Sequence, residues 1–387
     1  MVKRKICIVT STRSDYGLNY WIMKRIKENA NLELQIIASG MHMSTEFGLT
    51  YKEIERDGFT LNKKIEILLS SDTSVGITKS LGLALISFSE AFQDLKPDLI
   101  VLLGDRFEIM AAAQAAMIAN IPIAHVAGGD TTIGAYDEAI RHSLTKMSHL
   151  HFVTNESAYK RVIQLGENPQ RVYNVGSTGI DYIKNVSLLT KEQLGNQLDF
   201  KLRPKNIVVT FHPVTLEENS SEKQFKELLS ALQKLGSNVG IIITKPNADN
   251  DGRIIIKLID EFTKAHENVV SFTSLGQIRY LSTLAHVDCV VGNSSSGLYE
   301  APSFKKPTVN IGDRQGGRLM ATSIINCQPI SDDIYQSIEK AFSLDCSESV
   351  NPYGDGNSSE RIVRVIADIQ DYKVLIKKSF YEVEFNV

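Results

Sequence analysis

The stretch Val287–Gly312, VDCVVGNSSSGLYEAPSFKKPTVNIG, indicates more about the fold than any other part of the chain. Its pattern predicts a buried strand, a polar turn, a helix, a Lys-Lys-Pro turn and a second buried strand. A unit of this kind belongs to a parallel sheet covered by helices. The turn stands where the helix begins, so its unpaired amides and its serine hydroxyls predict a site for an anion.

Glu300 follows the serines by about one helical turn on the same predicted helix. We expect its carboxylate to accept both hydroxyls of a ribose while the turn binds the phosphates. The stretch therefore predicts a nucleoside diphosphate site that has no Walker-type lysine.

Short β-branched runs alternate with amphipathic helical patterns along the chain of 387 residues, which predicts two doubly wound, Rossmann-like α/β domains. We place the first domain at residues 1–183 and the second at 184–365. The pattern over 358–378 is helical, and a C-terminal helix at about 366–387 is expected to pack back on the first domain. Ligands of such domains gather in a cleft at the carboxyl ends of the strands.

The runs that predict strands are rich in valine and isoleucine. They are Lys5–Thr10, Glu33–Ser39, Leu99–Leu103, Ile123–Val126, His151–Thr154, Asn206–Thr210, Val239–Thr244, Val269–Phe272, Cys289–Gly292 and Thr308–Ile311. Amphipathic patterns at Leu18–Asn29 and Ile77–Leu95 predict helices between the first strands.

Hydrophobic residues make up 43% of the chain and charged residues 22%, which is typical of an enzyme with large cores. The net charge of −3 gives no reason to expect nucleic acid or an acidic membrane surface as a partner. No apolar run is expected to span a membrane, and the N-terminal apolar run is too short for a secretion signal. The cysteines have no metal-type spacing, so we predict free thiols in a cytoplasmic protein.

Acidic residues follow the central strands of the first domain where those strands end. Asp105 comes directly after one strand, Asp130 follows the glycine pair after the next, and Asp137 opens a helix. Asp105 alone would be explained as a helix cap, and Asp137 alone as an acid that the helix dipole favours in the first turn. Their convergence on one sheet edge favours chemistry, because proton abstraction and return at a sugar carbon need two groups with separated pKa values.

Basic side chains follow other strands. Arg13 lies in a turn where Asp15 or Ser14 would cap the following helix, and its guanidinium suits a phosphate or a sugar. His212 ends a strand and is a candidate phosphate donor or acid, although a lone histidine is more often structural. Arg314 and Arg318 lie among glycines and are predicted to complete a diphosphate cage.

The motifs STRSDYG, SGMH, LLGDR, HVAGGD, YDEAIRH, FHP, GNSSSGLYE and GDRQGGR occur in this order over nearly the whole chain. Together they resemble the hydrolysing UDP-N-acetylglucosamine 2-epimerases of the sialic-acid type. The resemblance implies the GT-B fold, no metal or other cofactor, and a homodimer or homotetramer. It also implies that UDP is eliminated across carbons 1 and 2 of UDP-N-acetylglucosamine, and that water adds to the glycal to give N-acetylmannosamine.

The resemblance also assigns roles to the matching residues. It implies that Asp105 and Asp137 are catalytic, and that His212, which we count with them, contacts the phosphates together with Ser294 and Ser295. The other residues expected to bind the nucleotide sugar are Arg13, Gly17, His42, Arg106, Asn247, Leu275, Ser296, Gly297, Glu300 and Arg314.

One position departs from the family pattern. Several relatives carry a catalytic glutamate at the third position of the motif that is HVAGGD here, and this chain has Ala127. Asp130 follows three residues later and is a candidate to supply the missing carboxylate.

Three other functions are compatible with these residues. The first is the same reaction on a nucleotide-linked 2,4-diacetamido-2,4,6-trideoxyhexose, as in legionaminic-acid pathways. The second is a GT-B glycosyltransferase, which would need an acceptor. The third is a nucleotide-sugar-binding regulator without chemistry, which would need none of the three acids.

Overall fold

Runs of valine, isoleucine and leucine form the central strands of two parallel sheets in the computed structural model. The model describes residues 3–45, 47–69, 73–131, 137–212, 220–245 and 252–384. The chain divides into two units. The first unit comprises Met1–Tyr182 and Gly354–Val387, and the second comprises Ile183–Tyr353.

The strands are numbered in chain order. They are β1 (Arg4–Thr10), β2 (Leu32–Ser39), β3 (Lys63–Ile65), β4 (Leu99–Leu103), β5 (Ile123–Val126), β6 (Leu150–Val153), β7 (Val172–Asn174), β8 (Lys205–Thr210), β9 (Val239–Thr244), β10 (Val269–Phe272), β11 (Cys289–Gly292), β12 (Thr308–Ile311) and β13 (Ile324–Cys327).

The α-helices follow the same convention. They are α1 (Arg13–Glu28), α2 (Tyr51–Arg56), α3 (Ser74–Leu95), α4 (Phe107–Ile118), α5 (Asp137–Met147), α6 (Glu156–Gln164), α7 (Thr178–Asn185), α8 (Lys191–Leu198), α9 (Ser220–Lys234), α10 (Gly252–Ala265), α11 (Gly276–His286), α12 (Ser296–Tyr299), α13 (Ser331–Ser343) and α14 (Ser358–Asp368). Short 3₁₀ helices lie at Gly40–Met43, Pro169–Arg171, Ala301–Phe304 and Tyr372–Leu375.

Both sheets reverse their strand order near the centre. The first has the order β3-β2-β1-β4-β5-β6-β7, and the second has the order β10-β9-β8-β11-β12-β13. The order switches between β1 and β4 in the first sheet and between β8 and β11 in the second. In parallel sheets of this kind, the loops after the strands at the switch point form the ligand site. The polar segments that carry Arg13, Asp105, His212 and the serines follow these four strands, while Asp130 and Arg314 follow the neighbouring strands β5 and β12.

The first sheet has a helix layer on each face. On one face, α1 and α14 bury Ile22, Met23 and Ile362 against the strands, and on the other α3 and α4 bury Phe88 and Ala112. Part of the first core therefore comes from the chain segment that follows the second unit. The helices of the second unit bury a separate core against its own sheet.

The segment after Gly354 is fixed to the first unit by buried carboxylates. Asp181 accepts hydrogen bonds from the N–H groups of Ser358 (2.8 Å) and Ser359 (2.6 Å), and so caps the start of α14. Further on, Lys378 contacts Glu167 at 2.9 Å. Burial alone would raise the pKa of Glu167, but hydrogen bonds from His151 and two lysines lower it to about 2.

The continuous helical pattern over 358–378 is wrong as a prediction of one helix. The α-helix ends at Asp368, and a 3₁₀ helix begins at Tyr372. The Asp371 side chain accepts a hydrogen bond from the N–H of Lys373, which begins a new turn instead of continuing the helix.

The predicted strands are confirmed, most of them within one residue at each end. The prediction missed β3, β7 and β13, which are edge strands of three or four residues. They are too short and too little buried to give a strong apolar pattern.

The expectation that no segment reaches membrane-spanning length needs correction. Within the described ranges, α3 has 22 residues and is apolar enough to cross a membrane by length and composition alone. The core helix of a soluble protein passes the same test. Here Ala84, Phe88 and Phe92 of α3 are buried in the core of the first unit.

Candidate active site

The turn after β11 begins at a position that only glycine can occupy. Gly292 has φ +133°, and a Cβ atom built on it would lie 1.9 Å from the carbonyl oxygen of Thr210 on the neighbouring strand β8. No L-residue side chain fits there without moving one of the two strands. The backbone of the two strand ends therefore meets directly, and this contact sets the direction of the turn.

Asn293 connects this turn to the loop after β8. Its side-chain Oδ1 accepts a hydrogen bond from the N–H of His212 at 2.7 Å, and its Nδ2 donates to the carbonyl oxygen of His212 at 2.8 Å. The carbonyl oxygen of Asn293 accepts from Arg314 (3.1 Å) and from the buried Gln315 (2.7 Å). Buried Asn293 thus connects the serine turn to the loop that carries His212 (the histidine loop) and to the loop that carries Arg314 (the arginine loop).

The serine turn presents donors that the protein itself does not use. Among the described residues, no acceptor lies within hydrogen-bond distance of the N–H groups of Ser294 and Ser295. Both serines lie on a half-buried turn and carry a hydroxyl donor in addition. A cluster of donors of this kind suits an anion such as a diphosphate.

The helix predicted after the serines is only one turn long. It spans Ser296–Tyr299 and passes into a 3₁₀ helix at Ala301, because Pro302 has no N–H to continue the α-helical pattern. A single turn has little macrodipole, so any anion affinity depends on the amides and hydroxyls. On this turn, the hydroxyl of Ser296 donates to Oε2 of Glu300.

In the first unit, Arg141 of α5 connects two of the predicted acids. Its guanidinium forms an ion pair with Asp105 and donates to the carbonyl oxygen of Asp130 at 2.7 Å. Buried His125 donates through Nε2 to the carbonyl oxygen of Gly104, at 2.8 Å, and so fixes the backbone before Asp105. The Asp105 carboxylate is about one quarter exposed, with side-chain exposure of 24%. It is thus oriented by a buried cation and remains accessible.

Asp130 is held by the end of β6. Its Oδ2 accepts from the hydroxyl of Thr154 at 3.1 Å, and its Oδ1 accepts from Nδ2 of Asn155 at 3.0 Å. The preceding Ala127 has φ +63°, a left-handed conformation that is unusual for a residue other than glycine. The loop that carries Asp130 therefore contains local strain and is fixed by side chains from the adjacent strand end.

Asp137 is the first residue of α5 and is half-buried. Glu138 beside it lies 3.7 Å from His142 in an i,i+4 pair. The residues just before Asp137 lie outside the described part of the chain, as does Asn247 from the predicted set.

Other predicted residues have different surroundings. His42 is fully buried between Thr10 (3.0 Å) and Thr50 (2.8 Å), and burial lowers its pKa to about 4. Arg13 is exposed and pairs with Glu53 at 3.2 Å. Gly17 has no atom within 4 Å of its Cβ position, and Leu275 is buried next to α11. Gly297 is buried with its Cβ position 2.7 Å from Thr308, so it lets β12 approach the serine turn.

The sequence analysis missed several residues that organise these loops. Glu108 is fully buried and forms an ion pair with Arg106 at 3.1 Å, which fixes the predicted guanidinium; burial raises the pKa of Glu108. Arg141 and Asn293 were quoted only within motifs. Their side chains act through backbone carbonyls of distant loops, and a single sequence gives no signal for such contacts.

The serine turn leads to a prediction about binding. Replacing Ser294 and Ser295 by alanine is expected to weaken the binding of UDP by roughly 1.5–3 kcal/mol for each hydroxyl that donates to a charged phosphate oxygen. Isothermal titration calorimetry measures the change. Ser343→Ala, on the exposed end of α13, is the control and should bind like the wild type. Unchanged affinity in the double variant would show that the hydroxyls do not bind phosphate.

The chain is similar in sequence to a known family and to several of its members. The family model for UDP-N-acetylglucosamine 2-epimerase matches residues 24–367. The chain is 45% identical over 341 residues to a GDP/UDP-N,N′-diacetylbacillosamine 2-epimerase (hydrolyzing) of Campylobacter jejuni, covering 88% of each chain. It is 37% identical over 388 residues to the polysialic acid biosynthesis protein P7 of Escherichia coli, covering 98% of each.

A solved structure has the same fold. The UDP-GlcNAc 2-epimerase of Neisseria meningitidis, solved with UDP-GlcNAc bound, superimposes with a TM-score of 0.78 over 94% of this chain and 100% of that chain, at 18% identity. This likeness confirms the predicted GT-B fold of two parallel α/β units. On the family model and the relatives together, the chain belongs to the UDP-N-acetylglucosamine 2-epimerase family.

Proposed function

We propose that the protein is a hydrolysing 2-epimerase of a nucleoside-diphosphate-linked 2,4-diacetamido-2,4,6-trideoxyhexose. The observation that carries the proposal is the 45% identity to the diacetylbacillosamine 2-epimerase over 88% of both chains. The products would be the nucleoside diphosphate and the free sugar with inverted carbon 2. This choice replaces UDP-N-acetylglucosamine, the leading substrate from the sequence analysis, by the alternative.

The runner-up is conversion of UDP-N-acetylglucosamine to N-acetylmannosamine for sialic acid synthesis. It is supported by the 37% identity to the polysialic acid protein over nearly the whole chain. The two substrates share the 2-acetamido group and the diphosphate, and differ at carbons 4 and 6. The reacting atoms are therefore the same in both cases.

The reaction has two steps that balance without a redox partner. A base removes the proton from carbon 2, the bond from carbon 1 to the diphosphate oxygen breaks, and its electrons leave with the nucleoside diphosphate. The resulting double bond between carbons 1 and 2 then takes up water. The water oxygen bonds to carbon 1, and a proton returns to the opposite face of carbon 2.

The proposed acid–base groups belong to the first unit. Asp105 supports this role because Arg141 orients its carboxylate while part of it stays exposed. For the second group we propose Asp130, whose two oxygens are oriented by Thr154 and Asn155. Asp137 is the runner-up for the second group. A general acid or base typically contributes a factor of about 10²–10⁴ to the rate.

Departure of the diphosphate is assigned to the second unit. The free N–H groups and hydroxyls of the serine turn would bind the phosphates, and Arg314 would stabilise the charge that develops on the leaving oxygen. His212 lies in the loop that Asn293 holds beside this turn, so its imidazole is a candidate donor to the same oxygens.

We also propose that the protein forms a homodimer or homotetramer through α3. Four exposed residues, Lys79, Leu83, Ile86 and Glu90, lie on one face of this helix at spacings of three and four. In an antiparallel pair related by a two-fold axis, Leu83 would meet Ile86 and Lys79 would meet Glu90 of the other copy. The face is thus complementary to itself, as a symmetric interface requires.

Gly82 gives a second reason to place another copy there. It lies beside Leu83 on the exposed side of α3 and has no atom within 4 Å of its Cβ position. Glycine destabilises an exposed helix by about 1 kcal/mol relative to alanine, and a close helix–helix approach in the proposed assembly would account for its presence.

Product analysis tests the substrate. The protein is incubated with the UDP-linked and the GDP-linked diacetamido sugar and with UDP-N-acetylglucosamine, in each case without an acceptor. We expect release of the nucleoside diphosphate and of a C2-inverted free sugar, with kcat/KM at least about tenfold higher for a diacetamido substrate, a difference of about 1.4 kcal/mol in the barrier. Preference for UDP-N-acetylglucosamine would favour the sialic-acid role. No release without an acceptor would favour a glycosyltransferase.

Asp105→Asn tests the chemical step. The amide keeps the shape of the side chain but cannot take a proton, so turnover should fall by roughly 10²-fold or more while UDP affinity stays nearly constant. Incorporation of deuterium at carbon 2 from heavy water should fall in parallel.

Asp368→Asn, at the exposed C-terminal end of α14, is the matched control and should behave like the wild type. Asp130→Asn and Asp137→Asn are measured beside it, and the one that loses deuterium incorporation identifies the second group. Near-normal turnover of Asp105→Asn would show that this carboxylate is structural.

Ile86→Asp tests the assembly. We expect light scattering after size-exclusion chromatography to give the mass of one chain, 43.0 kDa, because the variant places two carboxylates in the proposed interface. Val350→Asp, at an exposed site on the second unit, is the control. Lys79→Glu should weaken the assembly and Lys79→Glu with Glu90→Lys should restore it. An unchanged mass for Ile86→Asp would exclude this face.

A further inference from the structure

The half-buried carboxylate of Glu300 is connected to a tyrosine on another helix. Tyr280 of α11 donates through its hydroxyl to Oγ of Ser296 at 2.6 Å, and Ser296 donates in turn to Oε2 of Glu300. The direction of both bonds is fixed, because a carboxylate only accepts and a serine hydroxyl has one proton to donate. The hydroxyl of Ser296 is therefore committed to Glu300.

This connection divides the three serines of the turn into two groups. Ser294 and Ser295 have N–H groups that no described acceptor uses, and their hydroxyls do not contact Glu300. The hydroxyl of Ser296 donates its hydrogen bond to the carboxylate, so it cannot donate to a phosphate oxygen at the same time. The predicted contact of Ser296 with the nucleotide sugar is therefore better explained as an indirect one.

The helix α12 is so short that a residue from another helix is needed to fix its side chains. The helix α12 has four residues, too few to be stable by its own hydrogen bonds. Its side chains at Ser296 and Glu300 are four residues apart and lie on the same face. Tyr280 comes from the longer helix α11. Its hydroxyl connects α12 to that helix.

The free side of Glu300 is the one that a ligand would reach. Only Oε2 has a hydrogen-bond partner among the described residues, and Oε1 is not among the fully enclosed polar atoms that lack one. A carboxylate whose one oxygen is held by the protein presents the other in a fixed direction. Adjacent hydroxyls of a ribose suit that arrangement, since a single carboxylate oxygen has two lone pairs and can accept from both.

We propose that Tyr280 is a positioning residue for ribose recognition, acting through Ser296 on the carboxylate of Glu300. The inference rests on the proposed nucleotide site of the second unit. It predicts that the Tyr280 hydroxyl affects affinity for the ribose part of the nucleotide and leaves the phosphate contacts of Ser294 and Ser295 unchanged.

The experiment compares UDP with 2′,3′-dideoxy-UDP by calorimetry. Tyr280→Phe removes only the hydroxyl and keeps the ring that packs in the unit. Affinity for UDP should fall about tenfold, the effect of one hydrogen bond in a charged network, while affinity for the dideoxy analogue changes less than about twofold. Tyr335→Phe, a half-buried tyrosine of α13 in the same unit, is the matched control and should change neither value.

A double-mutant cycle tests the route of the effect. Ser296→Ala should resemble Tyr280→Phe, and the double variant should be no weaker than the single variants, because all remove the same connection. Ser294→Ala should weaken UDP and the dideoxy analogue alike. Additive effects of Tyr280→Phe and Ser296→Ala would overturn the inference, as would equal losses for both nucleotides in Tyr280→Phe.

The wild-type measurements separate this inference from the proposed reaction. A wild type that binds both nucleotides equally would overturn the ribose assignment and leave the sugar proposal intact. A wild type that prefers UDP but does not hydrolyse a diacetamido substrate would overturn the proposed function. The double-mutant cycle would then still test the role of Tyr280. Circular dichroism before and after heating establishes that each variant is folded.

Discussion

The site of the second unit depends on direct contact between the ends of β8 and β11, where Gly292 leaves no room for a Cβ atom beside Thr210. Because the strand ends meet there, Asn293 is placed where its amide can pair with both backbone groups of His212. The arginine loop then attaches to the carbonyl oxygen of the same asparagine. The serine turn is too short to be stable by its own hydrogen bonds, and these contacts at the end of the sheet stabilise it.

In the first unit, the loops of the site are connected by a cation. Arg141 is almost buried, and it joins the carboxylate of Asp105 to the backbone of the loop that carries Asp130. In both units, one buried side chain donates a hydrogen bond to a backbone carbonyl oxygen of a separate loop.

The fold was predictable because the central strands are buried on both faces and appear as continuous apolar runs. Edge strands such as β13 are half-exposed and carry no such signal. Strand ends with polar residues indicated where the sites lie, since parallel strands bring their carboxyl ends to one edge. The partners of those residues were not predictable. Asn293 is 81 positions from His212, and Tyr280 is 16 positions from Ser296. The periodicity of a sequence predicts contacts only between residues that are a few positions apart.

The return of the chain to the first unit at Gly354 determines the order in which the molecule is completed during translation. The face of the first sheet that α14 covers stays open until Ile362 and Ile366 have left the ribosome. At roughly 5–20 residues per second, synthesis of 183–353 takes on the order of ten to thirty seconds. The contiguous second unit is therefore completely synthesised before the first unit receives α14. The half of the protein that is made first is the last to close its core, and during that interval its apolar surface is open to chaperones.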